Sequence, residues 1–353
     1  MQSKRVLTYA EAIREGLDQI LESDRRSFLI GEGVPDPKVI FGTTKGLQEK
    51  YGPDRVMDMP VSENGMTGVV IGAAISGMRP ILVHQRLDFS LYALDQVINN
   101  AAKWYSMFGG QTSCPLVIRM IIGRGWGQGN QHSQNLQSLY AHIPGLKVVM
   151  PANAYDAKGL LISAVRDPNP VIFLEHRWLH NTTSYVPEEM YEVAIGESQV
   201  VKAGTDVTIV CWSLMTVEVL KASEFLYRDG LNVEIVDLKS LSPLDYVTIQ
   251  KSVAKTGRLI VVDGSWRHGG FAGEILARVA EDEELHLKAK PKRITFPDFP
   301  SPSTPGLCKY YYPTIEDIYT TAIKLVGREK GSAYPELKGY LSSLVADVPD
   351  ANF

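Results

Sequence analysis

Three polar clusters in the first half of the chain hold residue types able to do acid–base or binding chemistry. Pro60-Val61-Ser62-Glu63-Asn64-Gly65-Met66 sets a carboxylate just before the small-residue stretch Thr67-Gly68-Val69-Val70-Ile71-Gly72-Ala73-Ala74. A carboxylate at such a junction can simply cap a helix. If that apolar, glycine-studded helix is buried against another backbone, Glu63 instead enters a low-dielectric site, where its pKa rises and it can exchange a proton near neutrality. The second cluster is Gly123-Arg124-Gly125-Trp126-Gly127-Gln128-Gly129-Asn130, followed by Gln131-His132-Ser133-Gln134. Alternating glycines make a mobile or tightly curved backbone, and a histidine at its end titrates close to physiological pH. His132 is a catalytic candidate or a surface residue of a glycine-rich loop. The third cluster, Val83-His84-Gln85-Arg86-Leu87-Asp88-Phe89-Ser90, places polar groups and an aromatic right after an apolar run. It is either ligand-facing or an ordinary loop.

Side chains like these need a scaffold, and the pattern of apolar runs supplies one. Thr8-Tyr9-Ala10-Glu11 reads as a capping box, after which Ile13, Leu17, Ile20 and Leu21 share a helical face. Strands are expected at 27–31, 55–59, 80–84, 116–121, 147–150 and 171–175, with helices at 66–76, 91–105 and 155–165 between them. Continuous rather than alternating apolar strands, interleaved with helices, mark an α/β fold whose parallel sheet is covered on both faces. Open sheets of this kind bind ligands at the carboxyl ends of their strands, which is where all three clusters fall.

At 353 residues and 44% hydrophobic content the chain exceeds the size at which one core usually splits. A turn-rich stretch at 177–189 is followed by a connecting strand at 195–202. The expected domains are therefore 1–188 and 189–330, with an extension over 331–353. The second half restarts the alternation with strands at 206–212, 232–237 and 259–263 and helices at 217–229 and 246–254. Gly269-Gly270-Phe271-Ala272-Gly273-Glu274 then opens a helix, as a tight strand-to-helix turn or as an anion-binding helix start.

Composition excludes several functions. With 36 basic and 40 acidic residues, a net charge of -4 and no run of like charge, neither nucleic acid nor an anionic membrane is an expected partner. No apolar run is long enough to span a bilayer, and nothing at the N-terminus reads as a targeting segment. Cys114, Cys211 and Cys308 are far apart, against a zinc site or disulfide framework and in keeping with a reducing cytoplasm. No GxxxxGK[ST] or GxSxG is present, so P-loop phosphoryl transfer and hydrolase chemistry are not expected.

Taken in order, the segments SENGMTGVVIGAAISGMRP, DFSLYALDQVINNAAKWYSMFGGQ, QHSQNLQSLYAHIPGLKVVMPANAYDAKGLLISAVRDPNPVIFLEH and LSPLDYVTIQKSVAKTGRLIVVDGSWRHGGFAGEI resemble the beta subunit of thiamine diphosphate-dependent 2-oxoacid dehydrogenases, within the transketolase-like superfamily. The likeness covers Thr8 to about Val326. It implies a parallel-sheet pyrimidine-binding domain followed by a transketolase-type C-terminal α/β domain. Glu63 matches the acid that protonates the cofactor's aminopyrimidine, Phe89 the aromatic that stacks on that ring, and Gln85 a side chain beside it. His132 matches the histidine that hydrogen-bonds reaction intermediates and assists acyl transfer. A structural potassium ion is implied on backbone oxygens at Leu116, Ala164, Val165, Asp167 and Asn169, which suits a hard cation, although Asp167 and Asn169 around Pro168 also read as plain turn chemistry.

The diphosphate-binding GDG…NN signature is absent from the sequence, and Asn99-Asn100 has no GDG before it. Magnesium and the diphosphate are therefore expected on an alpha subunit carrying that motif, in an α2β2 heterotetramer. A lipoyl acyltransferase or another acyl carrier would take the product. Two departures bear on substrate and docking. His84, Arg86 and Asp88 stand where relatives are nearly apolar, and Arg124 and Trp126 make the loop before His132 bulky, which fits a polar or anionic substrate. The chain also continues past the helix at 314–326, where relatives tend to stop and dock. Ketol transfer from a sugar to a carrier by a two-subunit transketolase-like enzyme is the alternative activity, and a non-catalytic scaffold the alternative class.

Overall fold

The computed structural model describes residues 5–36, 39–124 and 127–343. The described residues form two compact units, one within 5–123 and 139–195, the other within 124–138 and 196–343. The turn-rich stretch from 177 to 189 stays with the first unit, and the second begins at Gly196.

The first unit opens with β1 (Val6–Thr8) and α1 (Tyr9–Ser23). The Thr8–Glu11 capping box forms as its spacing predicts, and Ala12, Ile13, Leu17, Ile20 and Leu21 line the buried side of α1. Then follow β2 (Ser27–Gly31), α2 (Leu47–Tyr51), β3 (Val56–Met57), α3 (Glu63–Ile75), β4 (Arg79–His84), α4 (Leu87–Ser90), α5 (Trp104–Met107), β5 (Val117–Ile122), α6 (Gln137–Ala141, whose first two residues group with the second unit), β6 (Lys147–Val149), α7 (Ala154–Arg166), β7 (Val171–His176) and β8 (Thr183–Tyr185). Its strands run β6-β7-β5-β4-β2-β3, all parallel. β2, β5 and β7 are buried along their whole length, so their sequences are continuous apolar runs rather than alternations. The helix expected over 91–105 is broken into short turns, including a π turn at Gln96–Asn100. There Asn99 and Asn100 hydrogen-bond the side chains one turn back, Asp95 and Gln96.

The second unit holds β9 (Gln199–Lys202), β10 (Val207–Cys211), α8 (Leu214–Arg228), β11 (Val233–Asp237), β12 (Ser240–Ser242), α9 (Tyr246–Thr256), β13 (Leu259–Trp266), α10 (Phe271–Glu281), β14 (Lys292–Phe296), α11 (Pro305–Tyr311), α12 (Ile315–Leu325) and α13 (Tyr334–Ser343). Its sheet order is β14-β13-β10-β11-β9, parallel except for β9. The extension begins by folding back: Leu337 and Ala333 join the core of α8 and α12, and the Asp229 carboxylate accepts from the Ala333 N–H at 3.0 Å. Residues 344–353 and the loop residue Trp126 lie outside the described residues.

Candidate active site

The parallel order brings five strand ends side by side. Glu63 follows β3, Glu32 follows β2, Gln85 to Phe89 follow β4, Gly123 follows β5 and Arg177 follows β7. The Asp58 carboxylate ties two of these ends together, accepting the N–H of Gly33 at 2.8 Å and of Met59 at 2.9 Å. Gln85 Nε2 donates to the Glu32 carbonyl at 2.8 Å. Burial raises the Glu32 carboxyl above its ordinary value, and the charges of Glu63 and Asp58 raise it further. Its Oε1 is buried without a hydrogen-bond partner. Glu32 was not singled out in the sequence, since one acid in Gly-Glu-Gly has no local pattern. Its proximity to Glu63 arises only when β2 and β3 pair.

Glu63 itself is half-buried, so the enclosed setting expected for it needs correcting for the chain by itself. Helix α3 buries Thr67, Val70, Ile71 and Ala74 but leaves Val61 82% and Val69 61% exposed. A Cβ built on Gly72 would meet nothing within 4 Å. A Cβ on Gly68 would lie 3.4 Å from Gln96 Oε1, so these two glycines of α3 face open space or a side chain rather than another backbone. Phe89 is half-buried in α4.

Two residues expected to face a substrate are turned to internal work. His84 ends β4 with its ring buried and Nε2 unpaired, and burial pushes its pKa down to about 4. A neutral, enclosed imidazole cannot offer a charge to a substrate. Arg86 is buried, with Nη1 on the Gly123 carbonyl at 2.6 Å and its guanidinium 5.9 Å from the Phe41 ring. Burial lowers its pKa to about 10, so it remains a cation at neutral pH. The loop start at Gly123 must be glycine: φ is +85°, and a Cβ would lie 2.2 Å from His176 Nε2.

Beside these ends lies a buried ionic network with no sequence signal. Arg119 on β5 pairs with Glu175 on β7 and donates to the Thr43 hydroxyl at 2.5 Å. His180 Nε2 meets the other Glu175 oxygen at 3.1 Å and stacks on Tyr9. Burial by itself would raise the Glu175 carboxyl, but Arg119 and His180 hold it down at about 2.

The five residues matched to a cation site lie at the opposite end of the sheet, before β5 and around the turn from α7 to β7. Leu116 precedes β5 and its carbonyl takes the Val171 N–H at 2.9 Å. Ala164 and Val165 belong to the last turn of α7, where carbonyls lack helical partners. Arg79 donates to the carbonyls of Val165 at 2.5 Å and Asp167 at 3.3 Å, the Asp167 side chain pairs with Lys147, and the Asn169 N–H donates to Asp167 Oδ1. Two of the carbonyls matched to the cation site, those of Val165 and Asp167, thus already accept from the Arg79 guanidinium. No group of three or more His, Cys, Asp or Glu arranged for a metal occurs among the described residues.

His132 belongs to the second unit, in the loop 124–138. It is half-exposed, and its N–H donates to the Gly129 carbonyl at 3.1 Å. Arg124, the third substrate candidate, lies with its guanidinium 3.8 Å from the Tyr312 ring centroid. At the helix start after the glycines before α10, the Asp263 carboxylate accepts the Ala272 N–H at 3.2 Å.

Residues 5–182 match the model of the transketolase pyrimidine-binding domain, and residues 196–318 that of the transketolase C-terminal domain. The acetoin:2,6-dichlorophenolindophenol oxidoreductase subunit beta of Cupriavidus necator is 43% identical over 330 residues, covering 91% of this chain and 97% of the relative. The mitochondrial pyruvate dehydrogenase E1 component subunit beta-2 of Oryza sativa subsp. japonica is 39% identical over 320 residues, 90% of this chain and 85% of the relative. The corresponding beta subunit of Rickettsia bellii is 38% identical over 319 residues, 90% of this chain and 98% of the relative. Among solved structures, a split-gene transketolase described as an inactive beta4 tetramer superposes with a TM-score of 0.74 at 22% identity, covering 91% of this chain and 99% of that one. With both domain models matched in order and such identity sustained along nine-tenths of its length, the chain belongs to the transketolase-type family of beta subunits from 2-oxoacid dehydrogenase E1 components.

Proposed function

We propose that this chain is the beta subunit of a thiamine diphosphate-dependent enzyme that decarboxylates a 2-oxoacid and passes the acyl unit to an acceptor such as a lipoyl group. The observation that carries the reading is the acid pair Glu63 and Glu32 at adjacent strand ends, beside a helix that is open at Gly72. Bound thiamine diphosphate supplies the electron sink for loss of the carboxylate. Glu63 would hold a proton on the pyrimidine nitrogen, Phe89 would cover the ring face, and Gln85, fixed by the Glu32 carbonyl, would border it. His132 would hydrogen-bond the reacting carbonyl oxygen. Covering of α3 by the alpha subunit would exclude water and complete the burial that Glu63 needs to work near neutrality.

Diphosphate and magnesium would sit on the alpha chain with its GDG…NN motif, in an α2β2 assembly. A potassium ion on the carbonyls of Leu116, Ala164, Val165, Asp167 and Asn169 would brace the turn after α7. Because Arg86 and Arg124 are engaged inside the chain, a small 2-oxoacid is favoured over a bulky anionic substrate. Three buried free cysteines fit a reducing compartment such as the cytoplasm, and no helix among the described residues is long and apolar enough to cross a membrane. The test is to co-purify the chain with an alpha partner and screen 2-oxoacids and sugar ketoses, using lipoamide and a dye as acceptors. Turnover of a 2-oxoacid that needs both chains is expected. Turnover of ketoses alone would overturn the reading.

A further inference from the structure

We propose that Asp263 is a positioning residue for the loop that carries His132, acting through Gln137. The inference rests on the reading of His132 given above. Asp263 lies fully buried in β13, and its two oxygens are divided between two elements. Oδ2 accepts the N–H of Ala272 at 3.2 Å, one of the free amides that open the eleven-residue helix α10. Oδ1 accepts Gln137 Nε2 at 3.0 Å, from the end of the His132 loop. The next residue of the strand adds a second tie: the Gly264 carbonyl accepts Asn135 Nδ2 at 2.5 Å. Asn135 and Gln137 are both buried, so each needs its partner to offset lost hydration.

On the other side of His132, Ser133 Oγ donates to the Gln128 carbonyl at 2.8 Å, and Ser301 Oγ donates to the Ser133 carbonyl at 3.4 Å. The half-exposed imidazole thus projects from a short segment fixed on both sides. Gly270 leaves room for the arrangement, since a Cβ there would lie 2.3 Å from the Trp266 carbonyl and 3.1 Å from Asp263 Oδ2. A buried aspartate in a parallel strand is costly, and a helix start by itself could be capped from a loop at lower cost. Burial pushes the Asp263 carboxyl up to about 6, and the hydrogen bonds from Ala272 and Gln137 oppose that rise.

The experiment uses the assembled enzyme with its alpha chain. Gln137→Ala removes the latch while leaving Asp263 on α10. The expected result is a fall in kcat on the order of ten- to a hundred-fold with KM and cofactor affinity nearly unchanged, because a misplaced catalytic group harms the chemical step. In a His132→Ala background the same change should cost nothing more, since there is no imidazole left to position. Unchanged kcat in Gln137→Ala, or an equal loss in both backgrounds, overturns the latch. Full turnover of His132→Ala overturns the reading of His132 on which it rests. If Gln137→Ala melts below the assay temperature, Asp263→Asn, which keeps the volume, is scored by the same split between kcat and KM and the same two backgrounds.

Discussion

Glu63 is a residue whose chemistry depends on what covers it. In the chain alone it is half-buried, next to an already raised acid, Glu32. Its side chain is only half-buried, so Glu63→Gln should leave folding nearly untouched, within about 0.5 kcal/mol as for most surface changes. In the assembled enzyme the same change would remove the proposed proton donor to the pyrimidine. Hydrogen–deuterium exchange at the thiazolium carbon should then slow by roughly 10²–10⁴-fold, the usual worth of a positioned acid or base. An unchanged exchange rate would remove Glu63 from catalysis. As a candidate Glu63 is legible in the sequence because an acid between an apolar strand and a glycine-rich helix stands out. Glu32 was not, because its environment is made by strand pairing. His84 and Arg86 stood out as polar residues at and just after the end of an apolar strand, and in the chain by itself both are buried.

At the scale of elements, the link between β5 and β7 is held by charge as well as by backbone. Arg119→Met would leave Glu175 buried beside His180 without its main cation, a loss of about 3–5 kcal/mol for one broken buried pair. Replacing both partners, Arg119→Met with Glu175→Leu, should recover much of that loss in urea unfolding at neutral pH. Recovery is not expected if the network's role is to orient His180 and Arg177 rather than to neutralise charge. The pH dependence has a definite sign. The Glu175 carboxyl is held at about 2 in the fold against an ordinary 4.5, so its contribution is present above pH 4.5 and lost as pH falls towards 2. The double variant should show a flatter acid limb.

The strands and most helices were legible because buried parallel strands are continuous apolar runs bounded by turn residues. The broken helix over 91–105 was not, since apolar periodicity does not register where the backbone widens into the π turn at Gln96–Asn100. Nor was the grouping of 124–138 with the second unit, which is fixed by Asn135 and Gln137 reaching β13.

At the scale of the whole molecule, the proposed site is one shared with an alpha chain. Val61, Val69 and Ile75 are exposed apolar residues on or beside α3, with Tyr92, Tyr105, Met107 and Phe108 exposed in the segment that follows β4. Val69→Asp should therefore block assembly with the alpha chain, seen as unmixed species in sedimentation, without lowering the melting temperature of the isolated chain. Co-sedimentation of the variant would move the interface elsewhere. The most direct test of the shared site is calorimetric titration of thiamine diphosphate with magnesium into the isolated chain and into the assembled complex. Weak or undetectable binding alone and tight, magnesium-dependent binding in the complex is the predicted result. Tight, magnesium-dependent binding by the isolated chain would contradict it.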